Sequence, residues 1–169
     1  MEDYSGQNGT ASNTISQELS NSSAEMNGKY LTFWTDSQLF GIAISSVQQI
    51  VGVQKITSIP NFPDYFKGII NLRGSIIPVI DVRLRFNKPE TVYNERTCII
   101  VINIQQQLFG FIVDAVDEVT RIDEENISEP PDASTEDACA YLKGIAKLEN
   151  RVVLLLDAGY MIRGSKISA

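Results

Sequence analysis

Short apolar runs, rich in Ile and Val and broken by Gly, Pro, Asn, Asp or Ser, recur from Lys29 onward. β-branched residues in short runs between turn residues predict strands rather than helices. The clearest unit is Lys67–Asp81, KGIINLRGSIIPVID. Its runs Gly68–Ile70 and Ile76–Ile80 flank the break Asn71-Leu72-Arg73-Gly74. Gly74 supplies the left-handed backbone a tight hairpin needs, so the pattern predicts a hairpin with Arg73 at its tip. Tyr30–Thr35 and Gln38–Ile44 predict a second hairpin around Asp36-Ser37, with Gly41 marking a bulge or close backbone approach. Ser45-Ser46 predicts an N-cap for one or two helical turns through Val47 and Ile50. Val53–Ile59 is expected extended up to Pro60, and Pro63 is expected to open a helical turn through Asp64-Tyr65-Phe66. Thr97–Ile104 and Leu108–Val113 predict a third hairpin, and Tyr141–Leu148 with Arg151–Leu156 a fourth. Asp157 is expected to cap a short terminal helix. Acidic Asp123–Ala140, with Pro130-Pro131, reads as a loop.

The pattern occurs twice. Phe40-Gly41-Ile42 matches Phe109-Gly110-Phe111, Val47 matches Val116 and Ile50 matches Val119, each 69 positions on. Lys67-Gly68-Ile69 matches Lys143-Gly144-Ile145 and Asp81 matches Asp157, each 76 positions on. The change of offset falls in the loop Asp123–Ala140, so the second half is the first with one loop lengthened. The expected fold is mainly β: two small five-stranded β-barrel subdomains packed on a shared core, with short helices. Closed barrels would explain how such short strands avoid exposed edges. Residues 1–27, rich in Ser, Asn, Gly, Thr and Glu, are expected as a disordered tail. Residues 28–169 then form one domain of two halves, about 28–90 and 91–162, with exchange of strands between them left open.

Composition narrows the function. The net charge of −7 lacks the basic face that phosphate binding requires, so a nucleic-acid partner is disfavoured. An anionic membrane surface is disfavoured for the same reason, and no apolar run is long enough to span a bilayer. No secretory signal is visible, and Cys98 and Cys139 read as reduced thiols, which points to the cytoplasm. There is no histidine, which removes Ser/His/Asp and Cys/His nucleophilic sites. Neither zinc spacing nor a phosphate loop is present, so no cofactor is expected. The carboxylates Asp114, Asp117, Glu118, Asp123, Glu124 and Glu125 lack calcium-loop order and read as a solvated face. Nothing selects a carboxylate pair for hydrolysis.

Individual residues carry two readings each. Arg73 is either an exposed turn residue or a docking residue whose planar fork meets a carboxylate or carbonyl on a partner. Asp81 and Asp157 end matching strands and are expected to hydrogen-bond the backbone at strand-to-helix corners. Gly68 and Gly144 are expected to allow close backbone approach. Phe62, Tyr65 and Phe66 read as core.

Several of these runs resemble one family. Val47-Gln48-Gln49-Ile50, Ile59-Pro60, Lys67–Gly74 and Pro78–Arg83, with Phe109–Asp114 and Tyr141–Gly144 in the second half, are similar to the CheW family of chemotaxis coupling proteins. The Asn-Leu-Arg-Gly run also occurs in the regulatory domain of the kinase CheA and in CheV, but neither a kinase nor a receiver domain accompanies it here. The resemblance runs from about Lys29 to Ile162. It implies twin barrels, no catalysis, and simultaneous binding of a chemoreceptor cytoplasmic tip and the CheA regulatory domain, with a receptor groove between the subdomains. It places a cytoplasmic protein recruited to chemoreceptor arrays. By resemblance, Val47, Gln49, Arg73 and Gly110 are associated with partner contacts or their support. Gly68, Gly74, Asp81 and Gly144 support the fold. The family often has glutamate where this chain has Gln49, which removes a salt bridge there. The alternatives are a coupling protein of a non-motility chemosensory pathway and a single-stranded nucleic-acid-binding barrel.

Overall fold

The computed structural model describes Ile15, Leu19, residues 27–130 and residues 141–162. Eleven strands make two mixed sheets. In chain order they are β1 Lys29–Thr35, β2 Gln38–Ala43, β3 Val47–Gly52, β4 Phe66–Leu72, β5 Ser75–Asp81, β6 Cys98–Ile104, β7 Gln107–Val113, β8 Ala115–Arg121, β9 Ile127–Ser128, β10 Leu142–Leu148 and β11 Arg151–Leu156. Helix α1 is Val82–Arg85 and α2 is Ala158–Ile162. The six-stranded sheet runs β8-β1-β2-β11-β10-β9, and the five-stranded sheet runs β3-β6-β7-β5-β4.

Neither sheet is drawn from one half of the chain. Hairpin β1–β2 joins strands of the second half through a parallel pair, Gly41 beside Leu155. Hairpin β6–β7 joins strands of the first half through the equivalent parallel pair, Gly110 beside Val79. Neither glycine has room for a side chain. A Cβ on Gly41 would lie 2.9 Å from Leu155 Cδ2, and one on Gly110 would lie 2.8 Å from Ile99 Cγ2.

Closed five-stranded barrels are not what forms. One sheet has six strands, and both are open. The chain leaving β3 loses its ladder after Gly52 and meets β4 again only at the bridge Thr57–Ile69. In the other sheet, the chain leaving β8 turns through Glu124–Asn126 into the two-residue β9. Each rim is thus joined by irregular chain instead of a hydrogen-bonded ladder.

Three apolar clusters follow. Ile70, Ile77, Val79, Ile99 and Val101 fill the hollow of the five-stranded sheet. Leu39, Ile122, Ala146, Val153 and Leu155 fill that of the six-stranded sheet. A larger shared cluster includes Leu31, Phe33, Phe40, Ile102, Phe109 and Phe111. Most of the tail expected over 1–27 lies outside the described residues. Ile15 and Leu19 are both helical and pack in the shared cluster, Ile15 buried. Four residues apart, they lie on one helical face.

Two local expectations need correction. Ser45-Ser46 does not cap a helix. Ile44–Ser46 is a single 3₁₀ turn without a side-chain cap, and Val47 onward is strand β3. The turn expected after Pro63 closes with a bond from Phe66 N–H to Pro63 O, and Phe66 begins β4 directly.

Candidate partner-docking surfaces

The β4–β5 hairpin turns in two residues, tighter than the four-residue break in the sequence, because Arg73 joins Gly74 in the left-handed region (φ 54° and 89°). Asn71 Oδ1 accepts the Gly74 N–H at 2.9 Å and fixes the turn. Arg73 is exposed, and no described residue pairs with its guanidinium. Beside it Ile76 is 59% exposed on a hairpin whose other isoleucines pack inward. The β10–β11 hairpin repeats the shape 76 positions on, with Val152, 54% exposed, in the place of Ile76. Its tip carries Glu149 where the first carries Arg73. Two equivalent arms therefore project an apolar residue each, with opposite charge at the tips. Exposed apolar residues rimmed by polar ones are the composition of a docking surface.

The other expected site residues lie elsewhere. Val47 is buried in the shared cluster and faces Ile102. Gln49 is half-buried on β3, an edge strand of the five-stranded sheet, opposite Val101. Arg73 belongs to the other edge of the same sheet, and Gly110 is buried on the central strand β7. So half-buried Gln49 and exposed Arg73 lie on different rims, while Val47 and Gly110 are buried.

Gly68, φ +140°, sits where Thr57 crosses to β4, and a Cβ there would be 2.1 Å from Thr57 O. Gly144 is the equivalent on β10, its Cβ position 2.7 Å from Ile127 Cγ2. Asp81 is buried. Its Oδ1 accepts the Arg83 N–H at 2.9 Å, capping α1, and its Oδ2 accepts the Tyr93 hydroxyl at 2.7 Å. Burial first, and Asp81 next, push the Tyr93 phenol well above its usual range. Asp157 repeats the cap on α2, accepting Gly159 N–H at 3.0 Å.

Asp36, Asp114, Asp117 and Glu118 are held in ion pairs. Arg83 donates to both oxygens of Asp114, at 2.8 to 3.1 Å, and to Asp36 at 3.4 Å. Arg151 pairs with Asp117 and with Glu118. Among the described residues, no group of three or more Cys, Asp or Glu is arranged to hold a metal. No helix among them is long and apolar enough to cross a membrane. Ile76 and Val152 went unnoticed in the sequence. Alternation along β5 and β11 is masked, because both faces are apolar where these strands enter the interior.

These features define a class: a two-sheet β scaffold whose charged groups near the core are spent on structure and whose hairpin arms reach solvent. The chain belongs to the CheW-like domain family, whose model matches residues 29–166. It is 35% identical to the chemotaxis protein CheW of Klebsiella aerogenes over 83% of this chain and 84% of that one. It is 34% identical to the chemotaxis protein CheW of Bacillus subtilis, over 79% and 86%. The crystal structure of the scaffolding protein TtCheW from Thermoanaerobacter tengcongensis superposes with a TM-score of 0.75 at 38% identity, covering 80% of this chain and 92% of that one.

Proposed function

We propose that this chain is a non-enzymatic scaffold that couples chemoreceptors to the histidine kinase CheA in chemotaxis signalling. The observation that carries the reading is the CheW-like match across residues 29–166. The partners are the regulatory domain of CheA and the cytoplasmic tip of a chemoreceptor, and the protein works in the cytoplasm at receptor arrays. Arg73 and Ile76 form one contact surface: the apolar side chain supplies area and the guanidinium supplies direction. Gln49 contributes hydrogen bonds from the open rim of β3. Val47 and Gly110, both buried, keep the sheet that carries these residues in shape. Individual contacts need not be strong, because a repeating array multiplies them through effective concentration.

The test is a pull-down of the full chain with the CheA regulatory domain and with a receptor cytoplasmic fragment. Capture of both is expected; capture of neither overturns the reading. Arg73→Glu is expected to weaken one partner by about tenfold, with unfolding unchanged within about 0.5 kcal/mol. Equal affinity of wild type and variant for both partners removes Arg73 from the contact.

A further inference from the structure

The two halves differ at one corner. In the first half, the linker after α1 folds back over the start of β4 and the end of β5. Glu90 accepts from Lys67 Nζ at 2.5 Å, and three residues on Tyr93 donates its hydroxyl to Asp81 Oδ2. Arg83 fills the space beneath and donates to Pro89 O at 3.3 Å. The corner is thus covered by the chain's own Glu-x-x-Tyr segment.

Among the described residues, the second half carries the same receiving groups without the cover. Lys143 stands for Lys67 and Asp157 for Asp81, each 76 positions on. The backbone agrees: Asp81 N–H donates to Tyr65 O and Asp157 N–H to Tyr141 O, both at 2.8 Å. Yet Lys143 is exposed, with no carboxylate partner among the described residues; the Tyr30 ring lies 5.9 Å from its Nζ. Asp157 Oδ2 meets no donor among them. The position of Arg83 is taken by Gly159, and a cavity of about 200 Å³ opens there, lined in part by Ser46, Asn103, Lys143, Asp157 and Gly159. Asn103 spends its Oδ1 on the Gln106 N–H, and its NH₂ has no acceptor among the described residues. In sequence, the residues 76 positions on from Glu90 and Tyr93 are Lys166 and Ala169. Neither is an acid or a tyrosine.

We propose that this corner is a separate docking site for an extended segment of a partner protein. The segment presents a carboxylate to Lys143 Nζ and, three residues on, a tyrosine hydroxyl to Asp157 Oδ2. In the first half Glu90 and Tyr93, three residues apart, meet Lys67 and Asp81, and the same spacing serves the matching pair Lys143 and Asp157. The cavity where Arg83 has no counterpart receives an intervening side chain. The site is on a different corner from the Arg73 arm and stands whichever partners that arm binds.

The probe is a fluorescein-labelled peptide with the chain's own linker sequence, Asn87–Asn94 (NKPETVYN), titrated with the full-length protein and followed by anisotropy. Saturable binding is expected. Lys143→Glu is expected to weaken it by about tenfold or more, and the Glu90→Lys peptide to regain affinity for that variant. Gly159→Arg, checked for folding by circular dichroism, is expected to block the cavity and weaken binding alike. Lys67→Glu is expected to leave the peptide affinity unchanged. Absence of saturable binding at roughly millimolar protein overturns the proposal. So does binding that responds to Lys67→Glu and ignores Lys143→Glu, since the peptide would then be displacing the native linker. Self-association abolished by Lys143→Glu would seat a second copy there and overturn the assignment to a different protein.

Discussion

Single atoms decide most at the glycines. Gly68 combines a left-handed backbone with a carbonyl 2.1 Å from where Cβ would sit, and a backbone oxygen held in a bridge cannot step aside. Gly68→Ala is expected to cost about 3 kcal/mol or more. Gly110→Ala meets the Cγ2 methyl of buried Ile99 at 2.8 Å, a side-chain atom and not a backbone oxygen, so about 1–3 kcal/mol of overpacking is expected. Gly74→Ala meets nothing within 4 Å and bears only the left-handed strain, about 1 kcal/mol. Urea denaturation of the three variants checks this order, and a Gly74 variant worse than the Gly68 variant would refute it. Tyr93 gives a pH dependence. Burial and Asp81 hold its phenol protonated in the folded chain, whereas the unfolded chain releases that proton near pH ~10. Above that pH the unfolded state binds fewer protons, so stability falls as pH rises and is complete below it. Tyr30, raised by burial and by Glu124, acts in the same sense. Tyr93→Phe is expected to begin about 1–2 kcal/mol less stable at neutral pH, having left Asp81 Oδ2 without its donor, yet to fall less steeply between about pH 9 and 11. Parallel slopes in the two proteins would refute the assignment.

At the scale of elements, Arg83 ties α1 to the place where β1 and β8 pair, reaching the β1–β2 turn through Asp36 and the β7–β8 corner through Asp114. Its side chain is mostly buried, so Arg83→Ala strands two carboxylates near each other. A loss of about 2–3 kcal/mol is expected by urea denaturation, with Asp114→Asn in the Arg83→Ala background recovering part of it. No such recovery would mean the pair is incidental. The four long hairpins were legible in the sequence because their turns are short and polar and their strands β-branched. The repeat was legible because each half needs glycine at the same two places, Gly41 or Gly110 on the strand that makes the parallel pair and Gly68 or Gly144 at the hairpin's register shift. Strand partners were not legible, since alternation assigns a face and not a neighbour. Strand β8 was obscured by Asp117 and Glu118, whose place in a half-buried strand depends on Arg151 from a distant hairpin. Ile15 and Leu19 were overlooked because two apolar residues in a polar segment carry weight only when a helix puts them on one face. The Arg73 arm was visible as a turn. Its exposed neighbour Ile76 was not, because solvent exposure depends on which strands lie alongside.

For the whole molecule, the crossed hairpins set how it unfolds. Each sheet takes β1–β2 or β6–β7 from the opposite half, and the shared cluster draws Phe33 and Phe40 from the first half and Phe109 and Phe111 from the second. A fragment 28–90 alone would leave β1–β2 without β8 and β11, and β3 and β5 without β6 and β7. Both sheets would then expose unpaired ladders and apolar faces. Arg85 adds a central pin: its guanidinium lies between the rings of Tyr65 and Tyr141, 4.4 and 4.5 Å from their centres, and its Nε donates to Met161 O at 2.8 Å. One residue of α1 thereby holds matching tyrosines of both halves together with α2. The expectation is a single cooperative transition, coincident by far-ultraviolet circular dichroism and by Trp34 fluorescence. Fragments 28–90 and 91–162 are expected to lack cooperative unfolding separately and to recover it when mixed. Two resolved transitions in the intact chain, or a cooperative fold in either fragment alone, would mean that the halves are independent modules. Their mutual rigidity is what a coupling scaffold requires, because a hinge between the two arms would let one partner move without the other.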